Sequence, residues 1–511
     1  MKDFSRSTQM TINLISGIIV FAANMLINFF LSPYIVENIG VEANGFVSLA
    51  SNFTNYATLL VTVINSMSGR FVTIEIHRGN IEKANVYYTS VFYANLVLLL
   101  FFLIPSVFIL INLEKVIDIP VHIVGDVKLL FAFIFGNFLA GLAVPMWATS
   151  TYITNKLYIT SLGSMISNVI RIVSILGMFA FFEPKVWYVG FISFLVIVFT
   201  KIWNYYYKKK LTPELKISKK SFDIKSVIEL MSSGIWNAIS QLGIILINGL
   251  DLLICNIFIG STEMGILSVA KIIPHFLSNL STTICNVFAP ELTINFAKGN
   301  KERIKKDLKQ AMNITGIILT IPLAIVFVFG DSFYGLWVPS QNSEQLQILS
   351  ALTVIGYIFT SGTQVLYNVF VTVNKVKANS LLLILAGIVS TAIVFIVINT
   401  TEFGIYAVAG ASSVVNIVRN MCYTVPFSAK YLGFKWYTFF PQVGKSVVSV
   451  LIIVLLGYFV KIIFNPDSWV ILVLTCGITT IIGFFINIFV VLSSEERKII
   501  NNLISSKIRK R

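Results

Sequence analysis

The feature that most constrains this fold is a series of about fourteen long apolar segments, which can fold only as membrane-spanning helices. The 511-residue chain is 56% hydrophobic and 12% charged, and a soluble protein could not bury that much apolar surface. The segments are continuously apolar, whereas the strands of a membrane barrel alternate. The sequence therefore predicts an all-α polytopic membrane protein, with spans near residues 11–35, 46–69, 87–111, 127–150, 161–182, 186–206, 233–256, 264–290, 309–330, 346–371, 379–399, 404–427, 441–463 and 468–492.

The series contains an internal repeat. The pattern I-G-x4-G-x2-S-x-A occurs at 39–50 and again at 259–270, a shift of 220 residues. The pattern Arg/Lys-Gly-Asn-x-Glu occurs at 78–82 and at 298–302, and Asn-Lys at 155–156 and 374–375, in nearly the same register. Because the shift covers six predicted helices, an even number, both copies enter the membrane in the same direction. The sequence predicts a parallel repeat of two six-helix lobes, an arrangement found in transporters.

The repeat and the loop charges predict domains and orientation. Lysines and arginines cluster after the sixth span, after the eighth span and at the C-terminus, while residues 257–263, 331–345 and 400–403 carry none. The positive-inside rule then places both termini in the cytoplasm. The predicted parts are a six-helix lobe at 1–206, a cytoplasmic basic linker at 207–230, a second lobe at 231–428, two additional spans at 429–492 and a cytoplasmic basic amphipathic tail at 493–511.

Several function classes are disfavoured by the composition. The net charge of +15 resides at predicted membrane edges, where it fits orientation and attraction to anionic membrane lipids better than nucleic-acid binding. The four cysteines form no CxxC pair and the three histidines have no metal-ligand spacing. No loop has room for a catalytic domain. We predict no enzyme activity, no catalytic residues, no metal site and no cofactor beyond a coupling ion, H+ or Na+.

Ionisable residues deep in spans are the strongest candidates for a binding site, because each costs on the order of 3 kcal/mol to insert. Arg171, Arg419 and Lys271 are cationic, whereas Asp251 is the clear anionic residue at such a depth. Such a cavity would attract an anion such as a phosphate or pyrophosphate, which the arginine fork binds in bidentate fashion. The alternatives are that Asp251 and Lys271 form a neutral pair between helices, and that the arginines cap the carbonyls of broken helices or snorkel.

Polar side chains of lower cost accompany these residues. Arg70 near a cytoplasmic helix end is a candidate for the inner mouth of the cavity. Gln241, Asn248 and Gln364 place amides in predicted spans, where they could bind sugar hydroxyls or equally connect helices. The local patterns Ser164, Asn168, Arg171 and Ser412, Asn416, Arg419 are similar, but lie on helices that the repeat does not relate.

Two stretches carry a family resemblance. Residues 31–50, LSPYIVENIGVEANGFVSLA, and residues 251–270, DLLICNIFIGSTEMGILSVA, resemble the matching parts of the two lobes of bacterial polysaccharide flippases of the Wzx type. These belong to the multidrug/oligosaccharidyl-lipid/polysaccharide exporter (MOP) superfamily. The resemblance implies two lobes arranged as a V around a central cavity, in the manner of MATE transporters and flippases. Fourteen spans exceed the twelve of many members, so the last pair is an addition.

The resemblance also implies a function. A flippase of this kind moves an undecaprenyl-pyrophosphate-linked oligosaccharide repeat unit across the bacterial cytoplasmic membrane for O-antigen, capsule or exopolysaccharide synthesis. Arg171, Lys271 and Arg419 would then meet the pyrophosphate, and Asp251 would be the candidate for ion coupling. A polysaccharide polymerase and other assembly proteins are implied partners. The alternatives are an ion-coupled multidrug exporter of the MATE type, which should carry acidic residues in its cavity, and a flippase for lipid II or a teichoic-acid precursor.

Overall fold

The computed structural model describes residues 6–143, 145–492 and 497. Every regular element within these residues is helical, which confirms the predicted all-α class. The chain forms two compact units, Met1–Ser268 and Val269–Arg511. The predicted tail at 493–511 lies outside the described residues except for Arg497, so the amphipathic helix expected there stays a prediction.

The first unit begins with long helices and ends with short ones. Its helices are α1 (Arg6–Asn38), α2 (Val41–His77), α3 (Ile81–Ile111), α4 (Leu113–Val116), α5 (Val124–Ala143), α6 (Thr149–Ile153), α7 (Leu157–Phe181), α8 (Trp187–Leu211), α9 (Ile224–Asn248), α10 (Asp251–Phe258) and α11 (Ser261–Ala270), the last of which crosses the unit boundary.

Within the described residues, the second unit contains five unbroken long helices and two interrupted helical stretches, at 343–372 and 404–431. Its helices are α12 (Ile272–Ala297), α13 (Lys301–Trp337), α14 (Ser343–Val354), α15 (Tyr357–Thr360), α16 (Tyr367–Thr372), α17 (Val376–Thr400), α18 (Gly404–Arg419), α19 (Val425–Tyr431), α20 (Phe440–Phe464) and α21 (Trp469–Val490).

The predicted spans are reproduced with differences at helix breaks. In the described part of the chain, eleven helices are long and apolar enough to cross a membrane, and a bent pair at 343–372 makes up to twelve. The two other predicted spans, 264–290 and 404–427, are helical but interrupted, at Lys271 and at a π turn over Asn420–Thr424. The protein is thus a multi-pass membrane protein, and the predicted count of fourteen is approximate.

The repeated patterns are helix ends that need a left-handed backbone. Glycine reaches positive φ without the Cβ clash of other residues, and asparagine tolerates it better than most. The repeat therefore conserves turn geometry between its two copies, at Gly40 (φ 124°) and Gly260 (152°), Gly79 (77°) and Gly299 (69°), and Asn155 (54°) and Asn374 (56°).

The residue after each glycine of the second pattern is the N-cap of the next helix. The side chain of Asn80 accepts a hydrogen bond from the Lys83 amide, and that of Asn300 accepts one from the Arg303 amide. Each asparagine thus satisfies one of the four amides that a helix start leaves unpaired. The Gly-Asn pair ends one helix and caps the next in both repeats.

The additional helices α20 and α21 are fixed to α13 by a buried polar cluster. Asn487 on α21 accepts a hydrogen bond from Ser449 on α20 at 2.6 Å and donates one to Thr320 on α13 at 3.1 Å. All three side chains are buried. Hydrogen bonds between helices are a common means of association in a membrane, where apolar burial offers little specificity.

The basic segment between α8 and α9 is folded against α3. The stretch between the two helices spans residues 212–223 and contains a 3-10 turn at Lys219–Ser221; it is shorter than the predicted linker of 207–230 because both flanking helices extend into that range. The side chain of Asn85 donates to the Glu214 carbonyl at 3.1 Å and accepts from the Lys216 amide at 2.6 Å. Ser90 accepts from the Asp223 amide at 3.0 Å. The segment is a docked part of the first unit.

Candidate functional site

Arg171 lies midway along α7, an unbroken helix. Asn168 lies three residues earlier and therefore on the same face. The Nε of Arg171 and the Nδ2 of Asn168 are both buried and have no hydrogen-bond partner. An unsatisfied buried donor costs about 1–3 kcal/mol. Because α7 is unbroken, it has no free carbonyl here for Arg171 to cap, and the described residues leave both of these donors on one face of α7 unsatisfied.

Arg419 is positioned differently. It is the last residue of α18, and the helix then widens into the π turn Asn420–Thr424. Its Nη2 donates to the hydroxyl of Tyr367, and its guanidinium carbon lies 5.2 Å from the centre of the Tyr367 ring. The Tyr367 hydroxyl donates to Oδ1 of Asn420 at 2.8 Å. The Nε of Arg419 is buried without a partner, so this guanidinium is held through Nη2 and keeps one unsatisfied donor.

Lys271 occupies the break between α11 and α12, and its side chain is buried. A helix end leaves carbonyls without partners. Here the carbonyl of Ala270 accepts hydrogen bonds from Ser350 and, at 3.3 Å, from Tyr334. The surrounding helices α13 and α14 thus supply the donors that make the interruption at Lys271 stable.

Gln364 also lies at an interruption. The segments Ser343–Thr360 and Thr363–Thr372 meet at an angle of 63°, and Gln364 belongs to the 3-10 turn that follows the bend. Its side chain is partly buried. Asn368, one turn further, donates to the Cys285 carbonyl on α12 at 2.9 Å and fixes this end of the bent pair.

Arg70 is exposed and lies on a groove between α2 and α9. The groove has a volume of about 450 Å³, and Ser232, Ser233 and Trp236 form its α9 side. Arg70 thus lines a concave surface within the first unit, and its place at the inner mouth of a transport cavity stays a prediction.

Asp251 begins α10, directly after the break that separates it from α9, and its side chain is buried. Asn248, the last residue of α9, is exposed, and Gln241 two turns earlier is partly buried. The hydroxyl of Tyr56 on α2 donates to the Gly249 carbonyl in this break at 2.6 Å. The helix that matches the predicted span 233–256 runs from Ile224 to Asn248, and the chain is interrupted between Asn248 and Asp251.

The first repeated pattern makes a contact between its own two copies. A Cβ atom at Gly45 would lie 2.9 Å from the Cα of Gly265, so the two helices α2 and α11 touch at backbone distance. Two hydrogen bonds flank this contact: Asn44 donates to Ser268 at 2.8 Å, and Thr262 donates to Glu42 at 2.8 Å. Small residues permit such close helix packing in membranes.

The structure therefore sorts the predicted residues by unit. Arg70, Arg171, Gln241, Asn248 and Asp251 belong to the first unit, and Lys271, Gln364 and Arg419 to the second. Four of the eight lie at or directly beside a helix interruption, namely Asn248, Asp251, Lys271 and Arg419. A fifth, Gln364, lies at the bend between two helical segments.

Sequence reasoning missed Tyr367. A tyrosine in an apolar span is ordinarily a packing residue, and no spacing links it to Arg419, 52 residues further on. The π turn was also missed, since π turns have no simple sequence pattern, although they are frequent at functional sites. That Asn168 and Arg171 share a helix face was visible in the sequence as a spacing of three residues.

Comparisons with known proteins support the fold. No family model matches the sequence. An uncharacterized membrane protein, EpsK of Bacillus subtilis (strain 168), is 26% identical over 494 residues, which cover 96% of this chain and 97% of that protein.

Among solved structures, the lipid II flippase MurJ in an inward closed conformation superposes with a TM-score of 0.65 at 14% identity, over 92% of this chain and 98% of MurJ. A MATE family multidrug resistance transporter of the MOP superfamily, in an inward-facing conformation, gives a TM-score of 0.65 at 12% identity, over 80% of this chain and 94% of that one. The chain thus has the fold shared by these MOP transporters and MurJ.

Proposed function

We propose that this protein flips a polyprenyl-pyrophosphate-linked oligosaccharide from the cytoplasmic to the outer leaflet of a bacterial cytoplasmic membrane. The observation that carries the proposal is the pair of unpartnered buried donors on α7, Arg171 Nε and Asn168 Nδ2. A phosphate group has several acceptor oxygens and a negative charge, and it satisfies both donors at once.

The second unit supplies a comparable group. The Nε of Arg419 is unpartnered, while Tyr367 orients the rest of the guanidinium. Lys271 adds a further buried cation, and Gln241, Asn248 and Gln364 are amides of the kind that bind sugar hydroxyls.

Alternating access is the proposed mechanism. Duplicated helix bundles transport a substrate by opening to one side of the membrane at a time. The repeated glycines Gly45 and Gly265 pack α2 against α11 at backbone distance within the first unit. We propose a proton or Na+ gradient as the energy source and Asp251 as the coupling residue, because Asp251 is a buried carboxylate at the break between α9 and α10.

The solved neighbours leave two substrate classes open by fold alone, since MurJ is a lipid II flippase and the MATE protein is a multidrug resistance transporter. The buried charges favour the first class. Cationic drugs need acidic partners, whereas the unpartnered groups described above are donors of two arginines and an asparagine. We place the protein in glycan assembly, beside a polymerase that consumes its product.

The test is deletion of the gene in its own host, with the polyprenyl-linked glycans in the lipid extract measured by mass spectrometry. We expect one complete repeat unit to accumulate on the cytoplasmic side, and the wild-type gene to reverse this. Absence of accumulation, combined with raised sensitivity to cationic dyes, would replace the proposal with drug export. Accumulation of lipid II or of a teichoic-acid precursor would keep the flippase and change its substrate.

A further inference from the structure

An apolar groove in the first unit is not explained by the transport site. It has a volume of about 570 Å³ and lies between α3, the start of α9 and the docked segment at 212–223. Ala94, Val97 and Leu98 of α3 form one wall, and Phe222 and Met231 form the other, with Lys219 at the groove. We call it the linker groove.

The groove exists because the basic segment is docked on α3. The hydrogen bonds of Asn85 and Ser90 hold the segment in place, and Phe222 packs edge to face on Tyr93 with ring centres 5.6 Å apart. The polar residues of α3 that face the segment all precede Val91, and after it the helix is nearly continuously apolar. A polar rim therefore adjoins an apolar wall.

The apolar wall is left uncovered by the protein. Val97 is 65% exposed, Phe222 44% and Met231 43%. In a membrane such a surface faces acyl chains. An open apolar groove beside a charged rim suits a molecule with an apolar tail and a polar head.

The charge around the rim is positive. Residues 207–230 contain seven lysines and three acidic residues. Lys219 and Lys220 are both exposed. Of the acidic residues, Asp223 caps α9 by accepting from the Lys225 and Ser226 amides and from the Ser226 hydroxyl. These hydrogen bonds lower the pKa of Asp223, so it stays charged, but its oxygens are engaged. Glu229 accepts from Tyr87 at 2.7 Å, and Glu214 is partly buried.

We propose that the linker groove binds one anionic glycerophospholipid of the cytoplasmic leaflet, with an acyl chain along α3 and the phosphate at Lys219. Basic residues beside a membrane contribute about 1 kcal/mol each toward anionic lipid, and the groove adds apolar contact that a flat basic surface lacks. The cytoplasmic position rests on the orientation that the positive-inside rule predicts and does not depend on the proposed transport substrate.

The probe is phosphatidylglycerol, with phosphatidylcholine as the neutral lipid of equal chain length. The full-length protein is purified in detergent, and retained lipid is counted by native mass spectrometry over a lipid titration. We expect one phosphatidylglycerol to be retained at concentrations where phosphatidylcholine is not. The Lys219→Glu change should weaken phosphatidylglycerol binding about tenfold and leave phosphatidylcholine binding unchanged.

A second variant tests the apolar half. Ala94→Trp fills the groove and should reduce the retention of both lipids. The matched controls are Lys220→Glu, a neighbouring exposed lysine that does not line the groove, and Leu100→Trp, an exposed residue further along α3. Both controls should bind lipid like the wild type, and an unchanged melting temperature would show that Ala94→Trp folds.

Two results would overturn the proposal. The first is retention of phosphatidylglycerol by a folded Ala94→Trp variant at the wild-type level. The second is displacement of phosphatidylglycerol by stoichiometric undecaprenyl phosphate with equal sensitivity to Ala94→Trp, which would assign the groove to a polyprenyl chain. The deletion experiment above is independent of either result, because it reports the transported glycan and not a lipid retained on the wall of α3.

Discussion

The surroundings of Arg171 and Arg419 differ although their local sequences are alike. Each arginine follows an asparagine by three residues and a serine by seven. Arg171 lies within a regular helix, and its Nε and the adjacent Asn168 amide have no acceptor. Arg419 ends a regular helix at a π turn, and Tyr367 holds its guanidinium by a hydrogen bond and by the ring face.

The difference teaches that a sequence pattern fixes which side chain enters a span but not how that side chain is satisfied. A guanidinium stacked on tyrosine and hydrogen-bonded to it keeps part of its interactions when no substrate is bound. By contrast, the Nε of Arg171 and the Nδ2 of Asn168 have no hydrogen-bond partner in the structure. We therefore expect that replacing Arg171 affects export more strongly than replacing Arg419, and the predictions below test that order.

The largest expected effect is at Arg171. Arg171→Ala should abolish glycan export while the protein remains in the membrane, and Arg171→Lys should restore export only in part, because lysine keeps the charge and loses the planar fork. The measurement is accumulation of the lipid-linked repeat unit in a complemented deletion strain, with membrane levels by immunoblot. Arg78→Ala, whose side chain is 69% exposed, is the control and should export normally.

Arg419→Ala is the companion change and should also lower export, but less completely than Arg171→Ala. Full export by both alanine variants would contradict a cationic binding site in either unit. Loss of export in Arg419→Ala alone would reverse the order that the two environments predict.

The next effect concerns the buried ions Asp251 and Lys271, one in each unit. Each single reversal, Asp251→Lys or Lys271→Asp, should lower export at least tenfold. The reason is that a buried charge without compensation costs about 3–5 kcal/mol of folding free energy. The double reversal separates two roles. Restored export would identify a structural pair. Continued loss of export would support the proposed roles of Asp251 in ion coupling and of Lys271 in substrate binding. Ion dependence of uptake into proteoliposomes then gives the coupling ion.

A moderate effect is expected where the two repeats contact each other. A Cβ atom at position 265 would lie 2.5 Å from the Val41 carbonyl oxygen, so Gly265→Ala forces α2 and α11 apart and should destabilise the protein by about 1–3 kcal/mol. Thermal unfolding in detergent measures this. Gly177→Ala on α7, where a Cβ would meet nothing within 4 Å, is the matched control. Equal melting temperatures for the two variants would show that the contact is not needed for stability.

The smallest expected effect is at Tyr367. Tyr367→Phe keeps the ring beneath Arg419 and removes only the hydroxyl, so one hydrogen bond to the guanidinium is lost while the contact with the ring face remains. We expect reduced export with the same substrate, and a larger reduction for Tyr367→Ala. An unchanged rate in Tyr367→Phe would mean that the ring alone positions Arg419.

Much of the fold was predictable from the sequence because its signals are local. Apolar length predicted the spans, and Gly40, Gly79 and Asn155 with their repeats predicted the duplication through turns that need positive φ. Arg171 was predictable as a candidate because a charge within an apolar run is visible without any partner. The helix interruptions at Lys271, Gly249 and Asn420 were not predictable, since each depends on groups far away in the chain. Ser350 and Tyr334, which donate to the Ala270 carbonyl, are examples.

The sequence by itself thus determined that this protein crosses the membrane many times, that it is built from two repeated halves, and that cations lie within its spans. Those properties follow from hydrophobicity, chain direction and charge, which each segment carries alone. Only the tertiary structure decided which polar atoms remain unpartnered, because satisfaction of a hydrogen bond depends on what another helix brings to it. Arg171 and Arg419 share a sequence pattern, and Tyr367, on a different helix, makes them different.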